Sequence, residues 1–238
     1  NILLGLRNLS SIYEISTLLM LSQDIPEIFS VQLENKVFRR YSEDLSFEGE
    51  ERERPIDKIN NFFKFTNSNI SIELFLEPQI YSYKKGVTQF NDLINTSNKK
   101  PSKGFGRHYY SPDYIIRINK LEWEDPLIII LDAKYSSRSN VLKYSLRETS
   151  EKYLHNVFQF KRGNTIGASP VKLMMILFAH GKDLPASFLN QQHYVDGELP
   201  VYPQAVGVKY IPGVSATATK WLLACADAHH IEQIRYIN

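Results

Sequence analysis

The chain has 238 residues, of which 43% are hydrophobic and 12% aromatic, a content that supports a folded core and excludes a disordered or fibrous chain. No apolar run approaches the ~20 residues that a membrane-spanning helix needs, and the single cysteine, Cys225, excludes a disulfide framework and a thiolate zinc site. The formal net charge of +2 is too small to indicate a partner by itself. We therefore expect a soluble cytoplasmic protein.

The first residues show no targeting signal. The chain starts at Asn1 rather than Met, and residues 2–6 lack the basic flank and the cleavage region of a signal peptide. We expect residues 1–238 to form a single domain that belongs to a longer protein.

The N-terminal half alternates helical and strand patterns. Residues 8–23 place apolar side chains at helical spacing and predict a helix, in which Glu14 is the only charge between Leu9 and Leu21. The predicted stripe consists of Leu9, Ile12, Ile15, Leu19 and Ser22, with Leu18 and Leu21 beside it. The following segments are predicted to be a weak strand at 32–40, an acidic loop at 43–54, a short helix at 61–65, a β-rich segment at 70–83 and a polar loop at 91–106.

The C-terminal half contains two buried-strand patterns separated by a helix. The longest apolar runs are 127–131, within a predicted strand at 127–135, and 171–179, which only Lys172 interrupts, and an apolar helical stripe over 142–160 lies between them. A helix between two such strands predicts that the strands are parallel in one sheet. The remaining predicted elements are a strand at 112–119, a turn at 121–126, a strand at 205–211 and a helix at 215–231.

Two acidic side chains stand at the ends of neighbouring predicted strands. Asp113 opens the strand Tyr-Ile-Ile-Arg-Ile, and Asp132 closes the strand Leu-Ile-Ile-Ile-Leu. Two carboxylates at adjacent strand ends suit Mg²⁺, which prefers oxygen ligands and keeps water or phosphate as its other ligands. Lys134 follows Asp132 by two residues, so its side chain points to the same face of the strand. A cation and the Lys134 ammonium would therefore face one phosphate group.

Basic residues flank this pair in the sequence. Residues 96–110 contain four Lys or Arg residues and no acid, and residues 135–162 contain six against two acids. Such charges position a nucleic-acid backbone without reading its sequence, although the first stretch is explained equally well as a solvated linker. The candidate nucleic-acid contacts are Lys99, Lys100, Lys103, Arg107, Arg138, Lys143, Arg147, Lys152, Lys161 and Arg162.

The order of the predicted elements, with Pro112-Asp113 and Asp132-Ala133-Lys134, resembles the core of the PD-(D/E)XK nuclease superfamily. Within it, the stretches Ile-Leu-Asp-Ala-Lys-Tyr and Tyr-Ser-Pro-Asp-Tyr look like the nuclease subunits (McrC-like) of McrBC-type restriction systems, as does a downstream helix containing Gln159. The resemblance covers roughly residues 8–180 and leaves 181–238 as a C-terminal extension. It implies an α/β fold with a restriction-endonuclease-like core, in which helices flank a central mixed β-sheet.

The resemblance also implies a function. It implies a Mg²⁺-dependent DNA endonuclease, with Mn²⁺ as a substitute, which acts in restriction or antiviral defence with an AAA+ GTPase partner of the McrB type. Asp113, Asp132 and the backbone carbonyl of Ala133 would be metal ligands, and Lys134 would orient or activate the attacking water. Glu14 resembles the acid that many members place on their first helix and is a further candidate ligand.

The predicted helix over 142–160 has a polar face beside its apolar stripe. Glu148, Lys152, His155 and Gln159 follow each other at helical spacing on that face. Gln159 and Lys152 are candidates for steadying the water or the phosphate backbone.

Several alternatives stay open. The D-x-K pattern is short, and Glu34-Asn35-Lys36 satisfies its E-x-K form in the same chain. The fold could serve as a catalytically silent module for DNA binding or partner docking, or as a repair or RNA-directed nuclease. A different α/β enzyme finds little support, because the chain has no phosphate-binding glycine loop, no G-x-S-x-G elbow and no reactive-cysteine setting.

Overall fold

The computed structural model describes residues 2–37, 61–82, 93–97, 109–159 and 166–235. These residues form an α/β structure in which helices flank a large mixed sheet, as the sequence predicts. The helices are α1 (Ile2–Phe29), α2 (Arg138–Asn140), which continues through a π-helical turn at Val141–Ser145 into α3 (Leu146–Tyr153), and α4 (Ala216–Arg235). The strands are β1 (Gln32–Val37), β2 (Asn61–Thr66), β3 (Ile70–Leu76), β4 (Ile80–Tyr81), β5 (Leu93–Asn95), β6 (Tyr109–Tyr110), β7 (Tyr114–Lys120), β8 (Leu127–Ser137), β9 (Val157–Gln159), β10 (Val171–His180) and β11 (Gln204–Lys209).

The described strands of the main sheet follow the order β1-β2-β3-β7-β8-β10-β11. Pairing is antiparallel from β1 to β8, and β10 then lies parallel to both β8 and β11. The prediction of two parallel buried strands joined by a helix is confirmed for β8 and β10. Two small antiparallel pairs, β4 with β6 and β5 with β9, lie outside this sheet.

The two faces of the sheet pack against different helices. On β8, Ile129, Leu131 and Ala133 point to the cluster that contains α1 and α4, whereas Ile128 and Ile130 point to the cluster that contains α3. Side chains alternate along a strand with period two, so Asp132 and Lys134 belong to the α3 face. The helix after β8 therefore covers the face on which the predicted site lies.

The first helix is longer than predicted, and a different side of it is buried. Its buried side follows a spacing of about four residues, and Tyr13 also donates a hydrogen bond to the Tyr210 carbonyl at 2.9 Å. The buried residues are Tyr13, Thr17, Leu18, Leu21 and Ile25. The exposed residues are Leu9, Ile12, Ile15 and Leu19. No helix in the described ranges has the length and apolar character needed to cross a membrane.

Three secondary-structure predictions are wrong. The polar loop predicted over 91–106 contains the strand β5, because Leu93–Asn95 pairs with β9. Residues 61–65, predicted as a short helix, belong to β2, because pairing with β1 on one side and β3 on the other satisfies the backbone as a strand. The helix predicted over 142–160 ends at Tyr153, and the strand β9 follows it. Consequently the predicted polar face from Glu148 to Gln159 does not lie on one helix.

Gly207 on β11 allows close packing between the sheet and the π-helical turn. A Cβ atom at this position would lie 2.7 Å from Cγ1 of Val141 and 3.1 Å from Cβ of Ala186, both of which are fully buried residues. We expect Gly207→Ala to lower the free energy of unfolding by about 1–3 kcal/mol through overpacking, as measured by urea denaturation. Val141→Ala removes the methyl group that the new Cβ atom would meet. The double variant should therefore lose less free energy of unfolding than the two single variants lose in sum. Strict additivity would contradict this explanation.

Candidate active site

The hairpin of β7 and β8 brings Asp113 and Asp132 together. The antiparallel ladder ends with Tyr114 paired to Leu131, and Asp113 and Asp132 are the next residues of the two segments beyond that pair. Their carboxyl groups lie near enough for the charge of Asp132 to raise the pKa of Asp113. Two neighbouring carboxylates repel each other, and a positive charge beside them relieves the repulsion.

Asp113 is anchored by backbone N–H groups on both sides. Its Oδ2 accepts a hydrogen bond from the N–H of Ala133 at 2.6 Å, and its carbonyl oxygen accepts one from the N–H of Glu77 at 2.8 Å. Burial raises the pKa of Asp113 to about 7, and the Asp132 carboxylate adds to the rise, whereas the Lys134 ammonium and the Ala133 N–H oppose it. A carboxyl group that titrates near neutrality beside a second carboxylate is typical of a functional site.

Lys134 supplies the positive charge beside the pair. Its Nζ lies 2.7 Å from Oδ2 of Asp132, so the two groups form a close ion pair. Burial alone would lower the pKa of Lys134, but the carboxylates of Asp132 and Asp113 outweigh burial and raise it. Lys134 is therefore an ammonium at neutral pH.

The backbone carbonyl of Ala133 is a further oxygen ligand that the strand offers beside Asp113 and Asp132. The N–H and C=O groups of one strand residue face the same neighbouring strand, so the Ala133 carbonyl lies on the side of β8 to which its N–H holds Asp113. Within the described residues, no group of three His, Cys, Asp or Glu side chains is arranged to hold a metal ion. Mg²⁺ needs only one or two protein carboxylates beside water and phosphate. Asp113, Asp132 and this carbonyl therefore fit Mg²⁺ as an open site.

Glu14 lies near the aspartate pair but does not join it as a third side chain. Its helix, α1, packs on the other face of the sheet, where the hydroxyl of Tyr114 donates to the Glu14 carbonyl at 2.5 Å. The Glu14 carboxylate accepts a hydrogen bond from Ser10 at 3.4 Å. Burial raises the pKa of Glu14, and Glu77 and Asp132 add to the rise, whereas Ser10 and Lys134 oppose it. Glu14 thus acts on the site electrostatically, through space.

Gln159 is not placed as the sequence predicts. It lies on β9 opposite Leu93 of β5, and its backbone carbonyl accepts a hydrogen bond from Gly167 at 2.8 Å. Its side chain is partly buried and makes no hydrogen bond to Asp113, Asp132 or Lys134 in the described structure. Tertiary pairing of β5 with β9 replaces the last helical turns that the pattern predicts.

The predicted nucleic-acid contacts are distributed over several environments. Lys152 lies on α3, close enough for Asp132 and Asp113 to act on its charge. Arg138 donates hydrogen bonds to the carbonyls of Leu184 and Pro185 and so anchors the loop after β10. Lys143 and Arg147 are exposed. The other predicted contacts, Lys99, Lys100, Lys103, Arg107, Lys161 and Arg162, lie outside the described residues.

Three residues around the site were not predicted to belong to it. Glu77 follows β3 with a left-handed φ of 46°, an uncommon conformation for a residue other than glycine, and its N–H anchors Asp113. Tyr110 and Tyr153 form an edge-to-face pair with ring centroids 6.0 Å apart. The sequence signal for Tyr153 was its place in the apolar stripe, which indicated packing only. Tyr110 and Glu77 gave no signal, because only the folded sheet brings them to Asp113 and α3.

Comparisons of this chain with protein-family models, with curated proteins and with solved structures give no match.

Proposed function

We propose that this protein is a Mg²⁺-dependent endonuclease that hydrolyses DNA phosphodiester bonds. The observation that supports the proposal is the neighbouring carboxyl groups of Asp113 and Asp132 at one end of a hairpin, with the Lys134 ammonium 2.7 Å from Asp132. A structural role explains this arrangement poorly, because two neighbouring carboxylates repel each other. Their placement under α3, with a raised pKa for Asp113, is the pattern expected where a cation and a phosphate bind.

Each residue has a distinct part in this proposal. Asp113, Asp132 and the Ala133 carbonyl hold the cation, and the Ala133 N–H fixes the orientation of the Asp113 carboxylate. Bound Mg²⁺ would lower the pKa of water and offset charge on the phosphate. Because the pKa of Lys134 is raised, Lys134 acts as an ammonium that orients the nucleophile and stabilises negative charge, rather than as a base.

The resemblance to PD-(D/E)XK nucleases extends the proposal to a biological setting. We assign the chain to the cleavage module of a restriction or antiviral defence system, with an AAA+ GTPase of the McrB type as its partner and Mn²⁺ as a substitute cation. Contacts to the phosphate backbone alone give binding that depends strongly on salt and little on sequence. Recognition of a particular sequence or modification is therefore assigned to the partner.

A catalytically silent nuclease fold is the second candidate. The observation in its favour is the ion pair itself, because the Lys134 ammonium occupies the side of Asp132 that a cation would share. Such a module would bind DNA or dock a partner without cutting. A repair or RNA-directed nuclease would use the same residues, so the substrate has to separate these possibilities.

The test is cleavage of supercoiled plasmid at low salt with Mg²⁺, with Mn²⁺ or with EDTA, alongside linear duplex, single-stranded DNA and RNA. We expect metal-dependent nicking of the plasmid that EDTA abolishes. Cleavage of RNA but not DNA would replace the proposed substrate. If no substrate is cut although DNA is bound, the silent module is the better explanation.

A further inference from the structure

Lys152 lies in an aromatic setting beside the aspartate pair. Its Nζ is 4.7 Å from the ring centroid of Tyr153 and 5.3 Å from that of Tyr110. Tyr153 is fully buried and packs in the cluster between α3 and the sheet, so this ring is a fixed support. Two aromatic faces hold an ammonium in place electrostatically, without a hydrogen bond that would use up its protons.

Among the described residues, the charge of Lys152 is not matched by an ion pair. In the part of the chain that the structure describes, no carboxylate forms a salt bridge with Lys152, whereas Lys134 is paired with Asp132 and Lys172 with Glu232. Burial lowers the pKa of Lys152 even though Asp132 and Asp113 oppose this effect. The Lys152 ammonium is partly buried, and its three N–H donors have no hydrogen-bond partner among the described groups. These donors are therefore available to bind an anion.

The position of Lys152 on α3 indicates that the bound anion is a phosphate group. α3 covers the face of the sheet that Asp132 and Lys134 share, so Lys152 approaches the aspartate pair from the helix side while Lys134 approaches it from the strand. Lysine binds phosphate as a point charge and does not require a planar ligand. A phosphate group between the helix and the end of the hairpin would meet both ammonium groups.

We propose that Lys152, held by Tyr110 and Tyr153, forms a phosphate-binding subsite that seats the backbone of a nucleic-acid strand beside the aspartate pair. This inference rests on the proposed function, since it takes the bound phosphate to belong to the substrate. The two tyrosine rings position the ammonium, and Lys152 is the group that contacts the phosphate. Because the contact goes to the backbone, it serves any base sequence.

The first test compares Lys152→Gln with Lys152→Arg and with Lys172→Gln. Lys172 is a matched control, because it is also partly buried but is paired with Glu232 at 2.8 Å near the start of β10, away from Asp132. We expect Lys152→Gln to weaken duplex binding about 10-fold and to reduce the salt dependence of binding by about one phosphate contact. Arg should restore most of the binding, and Lys172→Gln should leave it unchanged. Equal binding by Lys152→Gln and wild type would overturn the proposal.

The second test does not depend on cleavage. The wild-type protein in EDTA is treated with an amine-acylating reagent, with and without a short DNA duplex, and the acylation of each lysine is measured by mass spectrometry. We expect the duplex to protect Lys152 several-fold more than Lys172. Protection without any nicking activity would support the subsite and count against the proposed nuclease function. Normal nicking without protection of Lys152 would overturn the subsite and leave the nuclease function intact.

Discussion

Asp132→Asn is expected to lower Mg²⁺-dependent nicking of plasmid DNA at least about 1000-fold. The substitution keeps the shape of the side chain but removes the charge that would hold the cation and that pairs with Lys134 at 2.7 Å. A bound cation supplies several kcal/mol of charge stabilisation in a phosphoryl-transfer transition state, and about 1.4 kcal/mol corresponds to a tenfold rate change. The rate is measured from initial velocities of plasmid relaxation at saturating Mg²⁺.

The control for this result is Asp196→Asn. Asp196 also pairs with a lysine, because its Oδ2 lies 2.6 Å from Nζ of Lys220, but this pair joins the loop after β10 to α4. We expect the control to retain full nicking activity and both variants to keep the circular dichroism spectrum of the wild type. Nicking by Asp132→Asn at a rate within tenfold of the wild type would remove Asp132 from the catalytic site.

Asp113→Asn is expected to stabilise the fold in the absence of metal while it abolishes nicking. Burial raises the pKa of Asp113 from 3.8 in the unfolded chain to about 7 in the folded protein. Between these values the folded state binds more protons, so the free energy of unfolding of the wild type falls as the pH rises from about 4 to 7 and stays low above 7. Asparagine does not ionise, so the free energy of unfolding of the variant does not fall with pH in this way. Its side-chain oxygen still accepts the hydrogen bond from the Ala133 N–H. We expect a gain of about 2–4 kcal/mol at pH 8 that vanishes near pH 4.

The measurement is urea denaturation of both proteins in EDTA across this pH range. Addition of Mg²⁺ should then raise the stability of the wild type, because a ligand that binds only the folded state stabilises it, and should leave Asp113→Asn unchanged. A gain that does not depend on pH would show that the variant acts through packing. A less stable variant at pH 8 would contradict the strained carboxylate pair.

Active-site residues that destabilise the fold are a common cost of function. In the proposed site this cost falls on the buried carboxyl group of Asp113, while the part of β8 that precedes Asp132 is apolar and fully buried. Ile128, Ile129, Ile130 and Leu131 have no exposed surface. Burial of this apolar stretch stabilises the sheet and offsets the repulsion between the two carboxylates.

Much of the fold was predictable from local patterns. The apolar runs at 127–131 and 171–179 predict buried strands because both faces of a central strand must be apolar. They form β8 and β10, in parallel, as expected. Asp113, Asp132 and Lys134 could be proposed together because strand ends and period-two alternation depend only on sequence.

Other elements depended on partners that are distant in sequence. Residues 61–65 form a strand only because β1 and β3 lie on either side, and β9 exists only because β5 pairs with it, which removes Gln159 from the helix. On α1, two sides offered apolar residues at helical spacing. The side that carries Tyr13 is buried, because it packs against the sheet and Tyr13 donates a hydrogen bond to the Tyr210 carbonyl. The other side, with Ile12 and Ile15, is exposed.

By itself, the sequence determined the α/β class, the hairpin with its two aspartates, and the lysine on the same face, because these follow from the periodicity and order of nearby residues. Only the tertiary structure decided which groups surround that hairpin. The pairing of β7 with β8 and the hydrogen bond from Ala133 bring Asp113 to Asp132, and the packing of α3 brings Lys152 and Tyr153 to Tyr110. Contacts of this kind join residues far apart in the chain, and they form where several elements bury apolar surface together.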